Sequence, residues 1–259
     1  MRPRAWLPVL ALLAAPAAAA GQDLAARITG GGDGVVRMSF AAREGVEICD
    51  EGIQLFGDRT RWRGRGKHEG RCVEGPVEVE MRIRGGGVDD VETLDGSARR
   101  SPTARDLGRV EAADAVAFLL DAARGDGSGR GAEDAIFPVM LADVAEAWKG
   151  IVEVARDRSV APRVRKSALF WLGQEAAAAA TDGLAEVASD EDEEQEMREA
   201  AVFALSQRPS SEGVPILMEL ARTARETATR KAAFFWLAQS GDERVIAFFQ
   251  DVLVGRRGG

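Results

Sequence analysis

The sequence predicts a mostly α-helical protein. Its C-terminal part is expected to be an α-solenoid, a right-handed stack of helix pairs, preceded by a small β-rich module. A ten-residue block recurs three times at a near-constant interval, and a strictly alternating apolar and charged segment lies in the N-terminal third. The predicted divisions are a leader (1–20), the β module (21–100), a linker with the first helices (101–142), the solenoid (143–254) and a tail (255–259).

The first twenty residues have the composition of a secretory signal peptide. Arg2 and Arg4 form a positive start, an apolar run follows, and residues 18–20 are all alanine, which suits cleavage before Gly21. An uncleaved membrane anchor is the alternative, but the run is shorter than the roughly 20 residues that span a bilayer. We therefore expect a secreted or periplasmic protein with no membrane insertion after cleavage of the signal peptide.

The charge balance argues against two classes of partner. Cleavage removes two arginines and no acidic residue, so the net charge falls from −8 to about −10. Nucleic-acid binding needs a basic face, and anionic membranes attract basic segments. We expect neither a nucleic-acid partner nor adhesion to an anionic membrane.

The β module is predicted from its alternation of side chains. Val77–Arg84 alternates apolar and charged residues over eight positions, which is typical of a half-buried strand. Three glycines at 85–87 predict a turn, and Val88–Leu94 a returning strand. A weaker strand is expected over Val35–Phe40.

Cys49 and Cys72 are the two cysteines of the chain, and we expect them to form a disulfide because exported proteins meet an oxidising compartment. The segment between them, Asp58–His68, is basic and glycine-broken and is expected to be an exposed loop. Two free thiols and a metal site are the alternatives. A zinc site needs more Cys or His ligands, and His68 is the only histidine, so we expect no metal and no cofactor.

The recurring block sets the fold of the C-terminal half. RKSALFWLGQ (Arg165–Gln174) returns as REAAVFALSQ (Arg198–Gln207) and as RKAAFFWLAQ (Arg230–Gln239), with first residues 33 and 32 positions apart. A period in the thirties with two helices per unit is typical of an α-solenoid, because one helix pair cannot bury its apolar faces alone. Each block is expected to start one helix and to be followed by a second: Asp182–Ala188, Glu212–Thr223 and Asp242–Val254.

Several features resemble the short HEAT repeats of bacterial proteins, the phycobilisome-lyase-like type. These are the period, an arginine after an apolar residue (Val164–Arg165 and Met197–Arg198), the Ala-Ala-x-x-x-Leu core and the Gly-Asp turn at 241–242. The resemblance covers roughly residues 143–254, and the β-plus-repeat layout is similar to that of exported HEAT-repeat proteins. It implies an armadillo-like helical fold and protein–protein binding. Some members of the family are chromophore lyases or lyase subunits, but no residue set here carries that activity.

A helical projection at about 100° per residue divides each block into two faces. In the first block, Ala168, Leu169, Trp171 and Leu172 lie on a broad apolar arc that is expected to pack into the stack. The phenylalanine and the last glutamine of every block fall on the polar side. This candidate partner-binding ridge comprises Phe170, Gln174, Phe203, Gln207, Phe235 and Gln239. Two interpretations are open: the phenylalanines pack against the adjacent repeat, or they line a groove in which a partner segment docks.

The first residue of each block lies at the edge of the apolar arc. We expect Arg165, Arg198 and Arg230 to form an inter-repeat ladder, in which they bond acidic groups or helix C-terminal carbonyls of adjacent repeats. The acidic run Asp190–Glu194, between the first two units, is expected to be a solvated loop.

No residue set predicts catalysis, since the one histidine lies in a glycine-rich segment and no G-x-S-x-G motif is present. We therefore expect a non-enzyme, a scaffold of the bacterial envelope that binds a partner protein or peptide on its repeat surface. One alternative is a structural or assembly spacer whose β module engages the partner. Another is an enzyme subunit of the lyase-like type. The oligomeric state is left open.

Overall fold

The computed structural model describes residues 17–55, 71–125, 130–175 and 177–255. The fold class is the predicted one: a small strand-rich module followed by a larger helical region. The strands are β1 (Gly34–Phe40), β2 (Val46–Cys49), β3 (Gly52–Leu55), β4 (Cys72–Glu74), β5 (Val77–Arg84), β6 (Gly87–Leu94) and β7 (Arg105–Arg109). The helices are α1 (Ala17–Thr29), α2 (Ala112–Ala123), α3 (Gly131–Asp134), α4 (Ile136–Leu141), α5 (Ala147–Arg156), α6 (Pro162–Gln174), α7 (Ala179–Ser189), α8 (Gln195–Gln207), α9 (Ser210–Thr223), α10 (Thr227–Gln239) and α11 (Glu243–Gly255).

The larger sheet has the strand order β6-β5-β1-β7. The hairpin predicted around the glycines is confirmed, since β5 and β6 are antiparallel neighbours with Gly85 and Gly86 at positive φ between them. The alternation in β5 has the expected cause, because Val77, Val79 and Ile83 are fully buried beneath the sheet. The weaker prediction near Val35 is confirmed as β1, which pairs antiparallel with β5.

A smaller sheet with the order β3-β2-β4 carries the disulfide. Cys49 and Cys72 face each other in the β2–β4 register and are bonded to each other. The predicted loop Asp58–His68 lies outside the described residues.

Removing this disulfide is expected to destabilise the β module. Replacing both Cys49 and Cys72 with alanine opens a loop of 23 residues. The chain-entropy model gives a loss of roughly 3 kcal/mol of unfolding free energy for loops near this size. Urea denaturation of the double variant against the oxidised parent measures the loss, and a difference below about 1 kcal/mol would contradict the prediction.

Two segments differ from the sequence prediction. Helix α1 lies where a β-rich module was expected; it packs on α2, and its Leu24 and Ile28, one helical turn apart, are buried. Both side chains come after the predicted cleavage position, so removal of residues 1–20 leaves them in place. Strand β7 lies in the segment predicted as linker, where it extends the sheet parallel to β1. As an edge strand with mostly exposed polar side chains it shows no alternation, so its sequence resembles a loop.

The helical region is a two-layer stack. The three block helices α6, α8 and α10 pack side by side in one layer, and α5, α7, α9 and α11 form the other. The predicted turn before α11 is confirmed. Gly241 has a φ of +66°, and the side chain of Asp242 accepts the backbone N–H of Arg244 at 2.9 Å. Hydrogen bonds from the Arg244 side chain and backbone lower the pKa of Asp242 to about 2. Within the described ranges, no helix combines the length and the apolar character needed to cross a membrane.

The β module is docked onto the helices through a shared apolar core. Buried side chains of the sheet and of the helical stack form one contiguous core. Next to that core, Ala42 forms an isolated bridge with Ala142, and the backbone N–H of Arg43 donates to the Leu141 carbonyl at 2.9 Å. Arg43 also forms a 3.0 Å ion pair with the buried Glu175, at the end of α6. The module is therefore fixed against the first repeat.

Candidate functional site

A cleft of about 810 Å³ lies where the β module meets the first helical repeat. One wall comes from β3 and β6 and includes Ile53 and Val91, and the opposite wall comes from α3, α4 and α6. Three aromatic residues from the helical side line it: Phe137, Phe170 and Trp171. Sequence reasoning proposed only Phe170 among them as a candidate, and the cleft itself was not predicted.

The rings of Phe137, Phe170 and Trp171 pack together and are called the aromatic wall. Phe137 stacks on Trp171 with ring centroids 4.6 Å apart, and Phe170 meets Trp171 edge-on at 5.1 Å. Trp171 is nearly buried, whereas Phe137 and Phe170 are half-buried. Because each ring is held by another, the wall offers a pre-organised apolar surface to an incoming side chain.

Close packing of α3 on β6 forms one end of the cleft. A Cβ at Gly131 would lie 2.9 Å from the Val88 carbonyl oxygen, so only glycine permits this approach. The approach brings Glu133 and Asp134 of α3 to the cleft, close to Asp90 of β6.

The β6–α3 side of the cleft is acidic. Its lining includes Glu92, Asp95, Glu133 and Asp134. Asp95 is already engaged, because its carboxylate accepts the backbone N–H of Gly52 at 2.7 Å. Burial, with the charges of Glu133 and Asp90 nearby, raises the pKa of Asp134 above its ordinary value. Carboxylates crowded in this way favour a cationic group beside them.

Helix α6 supplies two basic residues to the same cleft, Arg163 and Lys166. Lys166 forms an ion pair with Glu196 of α8, so its charge is directed toward the next repeat. Arg163 lies near enough to Asp134 to lower the pKa of that carboxyl in part. The cleft lining therefore carries more carboxylates than basic side chains, and its net charge is negative.

The phenylalanines of the candidate ridge lie in three different environments. Phe170 lines the cleft, Phe203 is half-buried with its ring 5.0 Å from Trp236 of the next repeat, and Phe235 is 56% exposed. Ala204 has the place in α8 that Trp236 has in α10, so α8 offers Phe170 no ring of this kind. The column is thus half-buried at Phe170, where it lines the cleft, half-buried at Phe203 and mainly exposed at Phe235.

The glutamines of the ridge follow the same face to the ends of the block helices. Gln174 is half-buried, while Gln207 and Gln239 are exposed. Gln207 donates to the hydroxyl of Ser206 at 3.0 Å. Exposed amides beside open rings can pair with the backbone of a bound segment.

The different environments of Phe203 and Phe235 predict different effects on stability. Phe203→Ser is expected to lower the free energy of unfolding by about 1–2 kcal/mol, because a half-buried ring loses its contact with Trp236. Phe235→Ser is expected to change it by less than about 0.5 kcal/mol, since the ring is mainly exposed. Parallel urea titrations measure both changes, and equal losses would show that the two rings have the same environment.

The three arginines of the candidate ladder each donate to the end of the preceding helix. Arg165 Nε donates to the Ala155 carbonyl at 2.8 Å, at the end of α5. Arg198 donates to carbonyl oxygens just after α7, including that of Asp190 at 3.3 Å. Arg230 donates to the Ala224 carbonyl at 2.5 Å, just after α9. These bonds satisfy helix carbonyls that lack a partner within their own helix.

Arg165 has an additional partner. Its guanidinium forms an ion pair with Glu193, and the two side chains are 1% and 3% exposed. Glu193 belongs to the acidic run that was expected to be a solvated loop. The expectation is wrong for this residue, because its carboxylate balances a buried cation.

Two features were missed by sequence reasoning, one polar and one aromatic. Arg208, in the break after α8, is buried and donates to the Thr181 hydroxyl at 2.8 Å and to Glu212 at 2.7 Å. Phe137 was not recognised as a neighbour of Trp171 in the cleft. One signal was available, since Phe137 precedes Trp171 by nearly the same interval as Phe203 precedes Trp236. Among the described residues, no group of three or more His, Cys, Asp or Glu side chains could hold a metal ion.

Comparison with known proteins identifies the repeats. Residues 149–238 and 181–256 match the family model described as HEAT repeats. A solved structure of human deoxyhypusine hydroxylase in complex with glycerol is similar at 22% identity and a TM-score of 0.40. The match covers 48% of this chain and 43% of that chain, so it spans less than half of the other protein. No curated protein matches. The C-terminal region of the chain is therefore a HEAT-repeat region.

Proposed function

We propose that this HEAT-repeat chain is a non-catalytic scaffold that binds a segment of a partner protein along one face of its helical stack. The observation that carries the proposal is the cleft with its aromatic wall, Phe137, Phe170 and Trp171. Anchoring side chains at interfaces are typically bound in pockets of this kind, where packed rings are already in place. HEAT repeats commonly bind other proteins, which supports the same assignment.

The lining indicates the chemistry of the bound segment. An apolar or aromatic side chain fits against the aromatic wall, and a lysine or arginine fits beside the acidic side, where Glu92, Glu133 and Asp134 lie. The raised pKa of Asp134 is consistent with this, since a nearby cation would lower that pKa back toward its ordinary value. The β module supplies one wall, so both parts of the chain take part in the proposed binding.

The block helices provide a path for the rest of the segment. From the cleft at α6, the layer continues over α8 and α10. There the candidate ridge presents the half-buried Phe203, the exposed Phe235 and the amides of Gln207 and Gln239. Stacked repeats present such residues at regular intervals, which suits an extended partner.

We also propose that the protein acts outside the cytoplasm, in an envelope or secreted compartment. The Cys49–Cys72 disulfide supports this, because disulfides persist in oxidising compartments. The leader-like composition of residues 1–20 supports it further. Mass spectrometry of the protein from its source cells tests the proposal, which requires a mature chain that lacks the leader.

Selection of peptides on the folded chain tests the binding proposal. Peptides from a random display library are expected to combine an aromatic with a basic residue. Phe170→Ala is expected to raise the Kd of these peptides about tenfold or more, which corresponds to about 1.4 kcal/mol of binding free energy. Ile246→Ala is the matched control, because Ile246 is 64% exposed on α11, in the other layer. Equal losses in the two variants, or no selected peptides, would contradict the proposal.

A further inference from the structure

The loops that precede α8 and α10 differ at two positions where their alignment is fixed by the arginines of the ladder. Five residues before Arg198 lies Glu193, whereas five residues before Arg230 lies Arg225. One residue before each arginine the chain has Met197 and Thr229. The second junction, between the second and third units, therefore has an arginine where the first junction, between the first and second units, has a carboxylate. It also has a hydroxyl where the first junction has an apolar side chain.

At the first junction the carboxylate has a defined partner. The carboxylate of Glu193 reaches back to Arg165, and this ion pair is almost completely buried. The pair shows how the fold satisfies a ladder arginine: backbone carbonyls on one side and a carboxylate from the next repeat on the other.

At the second junction the equivalent arginine lacks that carboxylate. Arg198 is 7% exposed, and it donates through Nη1 to carbonyl oxygens of Asp190, Glu191 and Glu193. Its Nε has no hydrogen-bond partner among the described residues. The hydroxyl of Thr229, which is 1% exposed, also lacks a hydrogen-bond partner among these residues. Buried donors are nearly always paired in folded proteins, so two orphans at one place point to a missing acceptor.

A pocket of about 180 Å³ joins these two groups. Its lining includes Arg198 and Thr229, with Arg225 and Glu226 from the loop before α10. Arg225 is mainly exposed and forms a 2.9 Å ion pair with Glu191, which also lines the pocket. The charge of Glu191 is thus already balanced, whereas Arg198 has no carboxylate partner in the part of the chain that the structure describes.

We propose that this pocket binds a carboxylate group from outside the chain, in the place that Glu193 takes at the first junction. The guanidinium of Arg198 and the hydroxyl of Thr229 both act as donors to it, and a carboxylate accepts such bonds readily. The pocket is of a size for a single carboxylate-bearing group. That group belongs to a small free acid or to a glutamate side chain of a partner segment.

Thermal unfolding with defined carboxylates tests the site. The probes are sodium acetate against sodium chloride at equal pH and ionic strength, and the peptide acetyl-Gly-Glu-Gly amide against its glutamine counterpart. At a few times its Kd, a bound carboxylate is expected to raise the Tm by about 2–4 °C. Stabilisation by acetate identifies a site for free acids, and stabilisation by the glutamate peptide alone identifies a site for a partner side chain. No stabilisation by either would overturn the proposal.

Two variants locate the effect. Arg225→Glu supplies an internal carboxylate at the position of Glu193, so the Tm is expected to rise without ligand and the response to carboxylates to vanish. Thr229→Val removes the unpaired hydroxyl and restores the apolar residue that Val164 represents in the first unit. The Tm is again expected to rise, and the response to weaken at least threefold. Lys231→Glu, a charge reversal at an exposed position of α10, is the control and is expected to keep the full response.

A response that persists unchanged in Arg225→Glu would overturn the assignment of the pocket. The outcome is independent of the peptide-binding proposal, because this pocket shares no lining residue with the cleft at the β module.

Discussion

Replacing Arg165 with alanine is expected to lower the free energy of unfolding by about 3–5 kcal/mol. The guanidinium is 1% exposed and joins the Ala155 carbonyl at the end of α5 to Glu193 before α8. Its removal leaves the buried Glu193 carboxylate without its countercharge and a helix carbonyl without its donor. Urea denaturation followed by circular dichroism measures the loss.

An exposed pair on the same helix provides the matched control. Lys166 and Glu196 also join α6 to α8, but their side chains are 42% and 72% exposed. Lys166→Ala is therefore expected to cost less than about 1 kcal/mol. Replacing Arg165 and Glu193 together with methionine is expected to recover most of the loss, because no unpaired charge remains. If Arg165→Ala costs no more than Lys166→Ala, the buried pair does not have the role described.

Replacing Phe40 with alanine is expected to cost about 3–5 kcal/mol and to destabilise the helical region together with the β module. Phe40 is fully buried at the end of β1, and the residues that follow it bridge to Ala142 and Asp143. Because sheet and helices share one contiguous core, a cavity at Phe40 is expected to weaken both. The measurement is thermal unfolding followed by the helical circular dichroism signal.

Val73→Ala is the control for this variant. Val73 lies on β4 and is 52% exposed, so its truncation is expected to leave the helical transition within about 0.5 kcal/mol of the parent. A helical transition that stays unchanged in Phe40→Ala would contradict the shared core and would make the β module an independent unit.

The elements predictable from sequence are those whose pattern repeats over many residues. Val77–Arg84 alternates over eight positions because one face of β5 is buried, and the strand has the predicted bounds. The block helices could be placed because the same ten residues recur at a fixed interval. Helix α2 lies in the segment predicted to hold the first helices, and its apolar side chains follow the helical period.

The elements that were missed take their structure from tertiary contacts. Strand β7 is held by backbone pairing with β1, and its side chains give no signal. The ion pair of Arg165 with Glu193 joins residues 28 positions apart, and nothing local to Glu193 distinguishes it from its acidic neighbours. The cleft requires the β module to lie against α3 and α6, an arrangement that no periodicity encodes.

The phenylalanine column illustrates the limit of a helical projection. The projection assigned Phe170, Phe203 and Phe235 the same direction, but their surroundings depend on the neighbouring repeat. Trp236 covers Phe203, while Ala204 at the corresponding position of α8 offers Phe170 no such cover. Packing against the next repeat therefore describes Phe203, whereas Phe170 lines a cleft and Phe235 is mainly exposed.

Site-specific photocrosslinking in the source cells tests the central claim most directly, which is that the block-helix layer binds a partner protein. A photoreactive amino acid at Gln207, exposed on α8, is compared with one at Glu219, exposed on α9 in the other layer. Binding along the candidate ridge predicts a discrete crosslinked adduct from position 207, none from 219, and loss of the adduct when Phe170→Ala is added. Equal adducts from both positions, or an adduct from 219 alone, would contradict the account.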